Sequence, residues 1–299
     1  MTDAPLVSVV TATFNMARYL PQTIESILSQ THARIEAVVV DDGSTDDTAA
    51  VLERYADDPR VRVFRQPNAG QTVAKNRGLR EARGEIIGFC DADDIWTADK
   101  LERQLPLFRD PGVGVVYGGF DVIDENGTYL RTPRFPHPTG RITGRLLADN
   151  FVHFPTSLVR REVIESAGGF DESLSMAIDY DLWLRISVDH DFAYAPGVLV
   201  HYRVWSGQMS RRKAERFDNA FRMMRTFLAN HPDSVTAAER RAAWAHTYVS
   251  RGMWHAAEGR RREAWSDIFA ACRLRPWDLR LWRAAAGMIK PLAAGKAPR

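Results

Sequence analysis

Two cysteines in 299 residues, Cys90 and Cys272, are too few for a disulfide framework and lack the paired spacing of a zinc site. Cys90 lies inside an apolar run, where a thiol behaves as a small buried hydrophobe. No apolar stretch reaches the roughly 18 residues of a membrane span. The first residues, MTDAPLVSVV, lack the basic start of a signal peptide. These absences predict a cytoplasmic protein. Two phosphate-binding signatures are missing as well. A dinucleotide enzyme shows G-x-G-x-x-G after its first strand, where this chain reads ATFNMARYL, and the P-loop G-x-x-x-x-G-K-[ST] is absent. Any diphosphate must therefore be held without a glycine loop.

What is present is an α/β rhythm. VSVVTATF at 7–14 is a β-rich run ending at Asn15, and Leu20, Ile24, Ile27 and Leu28 then fall at helical spacing within 17–30. IEAVVVDD is a buried strand ending at Asp41 and Asp42. Ser44 and Asp47 have the spacing of a capping box for the following helix. A third strand at 61–64 and a helix over 71–83, closed by Gly84, lead into GEIIGFCDADDIWTADK. A helix over 98–108 and a strand at 113–118 follow. Such alternation predicts a mostly parallel sheet with helices on both faces, binding ligands at the carboxyl ends of its strands.

The acidic ends are the informative feature. Asp91 and Asp93 flank Ala92, and in an extended chain they point to the same side. Gathered carboxylates repel one another, and a hard cation such as Mg²⁺ or Mn²⁺ relieves that cost, with substrate phosphates completing its shell. A polar turn capping the next helix is the alternative for an isolated D-x-D. It is not an EF-hand loop, since no Gly follows at the sixth position. Asp42 and Asp91/Asp93 lie at the same end of their strands, which favours a shared binding rim over the turn.

These residues fall within blocks that strongly resemble the family 2 glycosyltransferases, inverting nucleotide-sugar enzymes of the GT-A fold. The blocks are VSVVTATFN, VVVDDGSTDDT, AKNRGLREARGEIIGFCDADDIW, GGFDESL and DYDLWLRI, in the family's order over residues 5–210. The resemblance implies a metal-dependent transfer from a nucleoside-diphosphate sugar to a hydroxyl of a glycan or lipid-linked acceptor, in bacterial-type surface polysaccharide synthesis. It places Ala12 and Phe14 beside the base and Asn15 with the donor-binding residues. Asp42 falls at the base edge, Asp91 near ribose and metal, and Asp93 as direct ligand of Mn²⁺ or Mg²⁺. Lys75 stands where the family usually has Arg and serves the diphosphate. UDP or dTDP is the favoured carrier. Core packing for Phe14 and a solvated helix charge for Lys75 are the competing readings, and Trp96 is read as packing.

Asp179 is the expected general base. The family pattern Glu-Asp-x-Asp reads Ile178-Asp179-Tyr180-Asp181 here, and Asp181 is four residues from Arg185, as a helical ion pair requires. A further departure places Trp205 where the family has a His near the diphosphate; Gln208 and Ser210 are the nearby substitutes. A catalytically silent nucleotide-sugar-binding or scaffold protein of the same fold is the alternative function.

The net charge of +2 conceals an asymmetry, with 19 basic and 8 acidic side chains in residues 211–299 against 21 and 30 before them. The expected domains are a catalytic one over 1–210 (donor half 1–118, acceptor half 119–210) and a basic helical region over 211–299. Gly252, Ala264, Ala271 and Pro276 in the latter suit one tetratricopeptide-like hairpin. Its arginines and tryptophans suit peripheral contact with the inner face of an anionic membrane, or simple packing with solvated charge. Nucleic acid is not an expected partner.

Overall fold

A computed structural model describes residues 4–208, 213–279 and 281–282. The expected Ser210 lies outside them. Chain contacts divide the protein into two units, one of residues 1–142 and 150–223, the other of 143–149 and 224–299. The charge-based boundary at 210/211 falls just before a continuous helix, α8 (Lys213–Asn230), whose interior holds the contact-based one.

The first unit is built on one mixed sheet. Its strands are β1 (Val7–Thr13), β2 (Ile35–Asp41), β3 (Val61–Arg65), β4 (Ile86–Phe89), β5 (Ile95–Trp96), β6 (Val113–Ile123), β7 (Tyr129–Arg131), β8 (Leu158–Arg160) and β9 (Asp191–Arg203). They lie in the order β3-β2-β1-β4-β8-β6-β9-β5, with β7 on β6. Pairing directions make β1, β2, β3, β4, β6 and β9 run one way, so their carboxyl ends share one rim. All seven residues of β2 are buried, as a strand covered on both faces demands. The helices around it include α1 (Leu20–Leu28), α2 (Thr48–Glu53), α3 (Gln71–Glu81), α4 (Lys100–Gln104), α6 (Arg161–Ser166) and α7 (Ile178–Ser187).

Four local expectations are corrected. The helix expected to Phe108 ends at Gln104 and continues as a 3₁₀ turn, Leu105–Arg109, because Pro106 has no N–H to extend the α ladder. Asp47 occupies the N-cap of α2 but makes no capping hydrogen bond; Asp46 accepts from Thr48 instead (3.0 Å to N), and Ser44 Oγ accepts from Asn15 N (2.9 Å). Gly84 does not close α3, which ends at Ala82. A Cβ there would stand 2.5 Å from Leu6 O, so glycine is needed for the close pass under β1. Finally, β4 stops at Phe89, and Asp91–Asp94 is a tight turn closed by Asp94 N donating to Asp91 O (3.0 Å), not an extended pair.

The second unit contains α5 (Thr143–Ala148), the end of α8, α9 (Ala237–Ala257) and α10 (Arg261–Leu274). Thr236 and Glu239 form a reciprocal capping box at the start of α9. The hairpin of α9 and α10 closes tightly where Gly252 faces Ala264, and a Cβ at Gly252 would meet Ala264 O at 3.2 Å. Arg251 donates twice to buried Asp267 (2.8 and 2.7 Å), the planar fork that suits a carboxylate.

Candidate active site

The rim assembles around the Asp91–Asp94 turn. Lys75, projecting from α3, is buried and donates to Asp91 Oδ1 at 2.9 Å, while its ammonium lies 4.2 Å from the Phe154 ring centre. It is therefore no solvated helix charge. Trp205 donates its indole N–H to Asp93 Oδ2 at 2.7 Å, and Gln208 Nε2 reaches the same oxygen at 3.4 Å. An indole nitrogen is a donor only and cannot ligate a metal, so Trp205 orients Asp93 where a His would offer a lone pair.

Each carboxylate is thus held by one oxygen. Asp91 Oδ2 and Asp93 Oδ1 receive no hydrogen bond among the described residues. Burial, and then the charge of Asp91, pushes the Asp93 carboxyl above its ordinary value. No cluster of three or more His, Cys, Asp or Glu suited to a metal occurs among the described residues. Two hard oxygens short of a full shell are what a Mg²⁺-type ion sharing its coordination with substrate phosphates requires, so the donor set fits such an ion.

Arg203 ties the turn together and was not singled out by sequence reasoning. It is buried at the end of β9, where its Nε donates to Asp93 O (2.9 Å) and its backbone N–H to Asp94 Oδ1 (3.0 Å). The rest of its guanidinium reaches Asp124 O (3.3 Å), Glu125 O (3.2 Å) and Gln22 Oε1 (2.6 Å). Its place in a Tyr-Arg-x-x stretch was the available signal. Asp94 is completely buried, and burial with the neighbouring Asp93 and Asp91 charges drives its carboxyl well up.

Asp179 sits at the start of α7, after Ala177 in a left-handed conformation (φ 59°). Asn150 Nδ2 donates to its Oδ2 at 2.9 Å. Burial raises the Asp179 carboxyl, against the opposing pull of Asn150, Arg216 and Lys75. Lys75 thus acts on Asp179 as well as pairing with Asp91, which relates the expected base to the acidic turn. Asp181 instead pairs with Arg185 (2.9 and 2.7 Å) and is buried in helix packing. His153, also missed, stacks on Phe120 at 3.9 Å; burial lowers it to about 4 and leaves Nδ1 unpaired among the described residues.

The expected base end lies along β1 and β2. Phe14 is 44% exposed, so it is not core, and Ala12 is half-buried. Asn15 adopts φ 55° and its side-chain oxygen accepts from Thr45 N (2.8 Å), joining two loops. Asp42 accepts from Gln66 Nε2 (2.8 Å), Ala69 N (3.0 Å) and Gly70 N (2.8 Å), fixing the loop that enters α3. Trp96 is buried and donates to Pro155 O (3.1 Å), the packing role expected of it.

A parallel-edged sheet with acidic residues gathered at strand ends defines a nucleotide-type binding rim. The chain belongs to Glycosyl transferase family 2, whose sequence profile matches residues 8–168. It is 33% identical over 216 residues to an uncharacterized glycosyltransferase of Rickettsia felis, covering 70% of this chain and 36% of that protein. It is 36% identical over 187 residues to chondroitin synthase of Escherichia coli, covering 61% of this chain and 26% of that one. The chain therefore spans about a third or less of the length of these two relatives. Among solved structures it superimposes on S. aureus TarS 1-349 in complex with UDP-GlcNAc (TM-score 0.69, 20% identity, 95% of this chain and 88% of that one). It also resembles the mannosyltransferase PcManGT from Pyrobaculum calidifontis in complex with GDP-Man and Mn2+ (0.66, 21%, 97% and 82%). These likenesses establish the GT-A fold.

Proposed function

We propose that the protein is a metal-dependent inverting glycosyltransferase that moves a sugar from a nucleoside-diphosphate sugar to an acceptor hydroxyl in polysaccharide synthesis. The observation that carries this reading is Lys75, whose buried ammonium pairs with Asp91 of the acidic turn and also acts on Asp179. Asp91 and Asp93 hold a Mn²⁺ or Mg²⁺ ion through their free oxygens, and that ion supplies charge neutralisation at the departing diphosphate. Lys75 adds a fixed positive charge beside it. Phe14, exposed at the end of β1, and Ala12 offer the surface on which the base rests, with Asn15 and Asp42 shaping the loops around it. Asp179 takes the acceptor's proton as its oxygen attacks the anomeric carbon opposite the diphosphate, which inverts the configuration. No second carboxylate nucleophile is needed for a single displacement.

The bound structures of the two neighbours, one with UDP-GlcNAc and one with GDP-Man and Mn2+, support a nucleotide-sugar donor. UDP or dTDP is the proposed carrier. Calorimetric titration of UDP, dTDP and GDP with and without Mn²⁺ tests the reading: metal-dependent binding of one of them is expected, and binding of none would overturn it.

Trp205 carries its own prediction. Partners that orient a metal ligand by hydrogen bonding are typically worth about 10–100-fold in metal affinity. Trp205→Phe is expected to weaken Mn²⁺ binding by about that range while Trp205→His recovers it, read by Mn²⁺ electron paramagnetic resonance. Equal affinity in all three proteins would remove Trp205 from the site.

The basic second unit is proposed to meet anionic lipid, where the acceptor is carried on a membrane. None of the described helices is long and apolar enough to cross one. Trp277 is 92% exposed in a basic segment, and each Lys or Arg near such a surface contributes about 1 kcal/mol. Sedimentation with phosphatidylglycerol vesicles should show binding at low salt that is lost at high salt; salt-independent binding or none would count against it.

A further inference from the structure

The sheet order lays the rim out in sequence: β2 and β1 with Asp42 and Phe14, then β4 with the acidic turn, then β6 and β9. Beyond the turn on this last side lies an open cleft of about 440 Å³, lined chiefly by Asp124, Glu125, Asn126, Tyr202, Trp205 and Gln208. That volume is in the range of small-ligand sites. None of these residues is needed to hold a nucleotide in the reading above, apart from the N–H groups that Trp205 and Gln208 give to Asp93.

The chemistry of the walls is selective. Tyr202 and Trp205 present aromatic rings, whose electron-rich faces suit the polarised C–H groups of a pyranose ring. Tyr202 also meets Phe120 edge-on (5.9 Å), and Phe120 stacks on Phe135 (5.6 Å), so ring surface continues past the cleft. The polar lip is incompletely used. Asp124 Oδ1 accepts from Asn126 N (2.9 Å) and Thr128 N (2.8 Å), while its Oδ2, Asn126 Nδ2 and Gln208 Oε1 have no hydrogen-bond partner among the described residues. A ligand meeting these groups must both donate and accept hydrogen bonds, as hydroxyls do. Two carboxylates line the cleft and one cation answers them, Arg18 at 3.2 Å from Glu125. An anionic ligand is disfavoured there by like charge.

The wall is held rather than pliable. The buried Arg203 guanidinium donates to Asp124 O and Glu125 O with one nitrogen and to Asp93 O with another. The cleft and the acidic turn are therefore fixed to each other through one side chain.

The geometry points to this cleft as the acceptor subsite, taking a neutral or amino-sugar unit of a saccharide acceptor and excluding uronic acids and phosphorylated sugars. This rests on the transferase reading and names its acceptor class.

Saturation-transfer NMR on the full chain tests it, with three probes: a neutral gluco-oligosaccharide, an N-acetylhexosamine oligosaccharide and a uronic-acid oligosaccharide. Binding of either of the first two and not the third is expected. Tyr202→Ala should weaken that binding by roughly five- to tenfold, the scale of one aromatic contact, and Asn126→Ala should weaken it while leaving the fold intact. Glu125→Lys should admit the uronic-acid probe. Titration of UDP with Mn²⁺ on the same proteins serves as a folding control and a separate test of the donor reading. Saccharide binding that is absent in the unaltered protein, or unchanged in both Tyr202→Ala and Asn126→Ala, overturns the cleft. Saccharide binding without nucleotide binding would uphold the cleft and overturn the donor reading.

Discussion

Asp179→Asn should leave nucleoside-diphosphate binding unchanged and cut turnover by about 10²–10⁴, the contribution of a positioned general base. The amide keeps the size of the side chain and a contact with Asn150, so the start of α7 has no reason to rearrange. What it loses is the ability to take a proton. Burial raises the Asp179 carboxyl above its ordinary value of 3.8, which brings a base closer to working pH. The sign follows directly. A base must be ionised, so activity is lost as pH falls through the raised value, and the acid limb of kcat/KM should lie above the ordinary carboxylate range. Asn150 donates to the ionised form and opposes the rise. Asn150→Ala should therefore move that limb further up in pH, whereas a purely structural Asn150 would lower activity at every pH without displacing it. Full turnover in Asp179→Asn would end its assignment as base.

Asp93→Ala should abolish Mn²⁺-dependent nucleotide binding altogether, the larger loss of the two. The reason is stoichiometric as much as electrostatic. The described residues bring two carboxylates to this turn and no third His, Cys, Asp or Glu to support them. Removing one leaves a single protein ligand, too few to hold a Mg²⁺-type ion. Removal also frees the indole N–H of Trp205 from its 2.7 Å partner, so the intrinsic fluorescence of the protein gives a local readout. Asp93→Asn separates charge from shape, since it can still accept from Trp205 while carrying no charge. It should fold like the parent and still fail to bind metal. Calorimetry on both variants checks this, and nucleotide affinity equal to the parent's would move the ion elsewhere. Asp91→Asn differs in kind, because it also leaves the buried Lys75 ammonium without its counter-charge. Breaking a buried pair on one side is expected to cost about 3–5 kcal/mol of stability, seen as a lowered midpoint of thermal unfolding.

The local periodicities of the chain were enough for the alternation of strands and helices, for the burial of β2, and for carboxylates collected at strand ends. They were enough as well for the Asp181–Arg185 pair, because four residues of helix is a fixed distance. Motif order identified the family. The pairing of the functional groups was another matter. Lys75 read equally well as a solvated charge until α3 laid it under the rim against Asp91. Asp91 and Asp93 were expected to align by strand alternation, whereas a turn closed by Asp94 N brings them together. Trp205 looked like the loss of a His, and its role as a donor to Asp93 emerges only when β9 runs alongside β6. Arg203 meets Asp93 from 110 residues away, and Asn150 meets Asp179 from 29. Sequence spacing fixes which side chains share a face within one element, since backbone geometry repeats every 2 or 3.6 residues. It cannot say which strands become neighbours, and strand order alone decided which carboxylates, donors and rings meet at this rim.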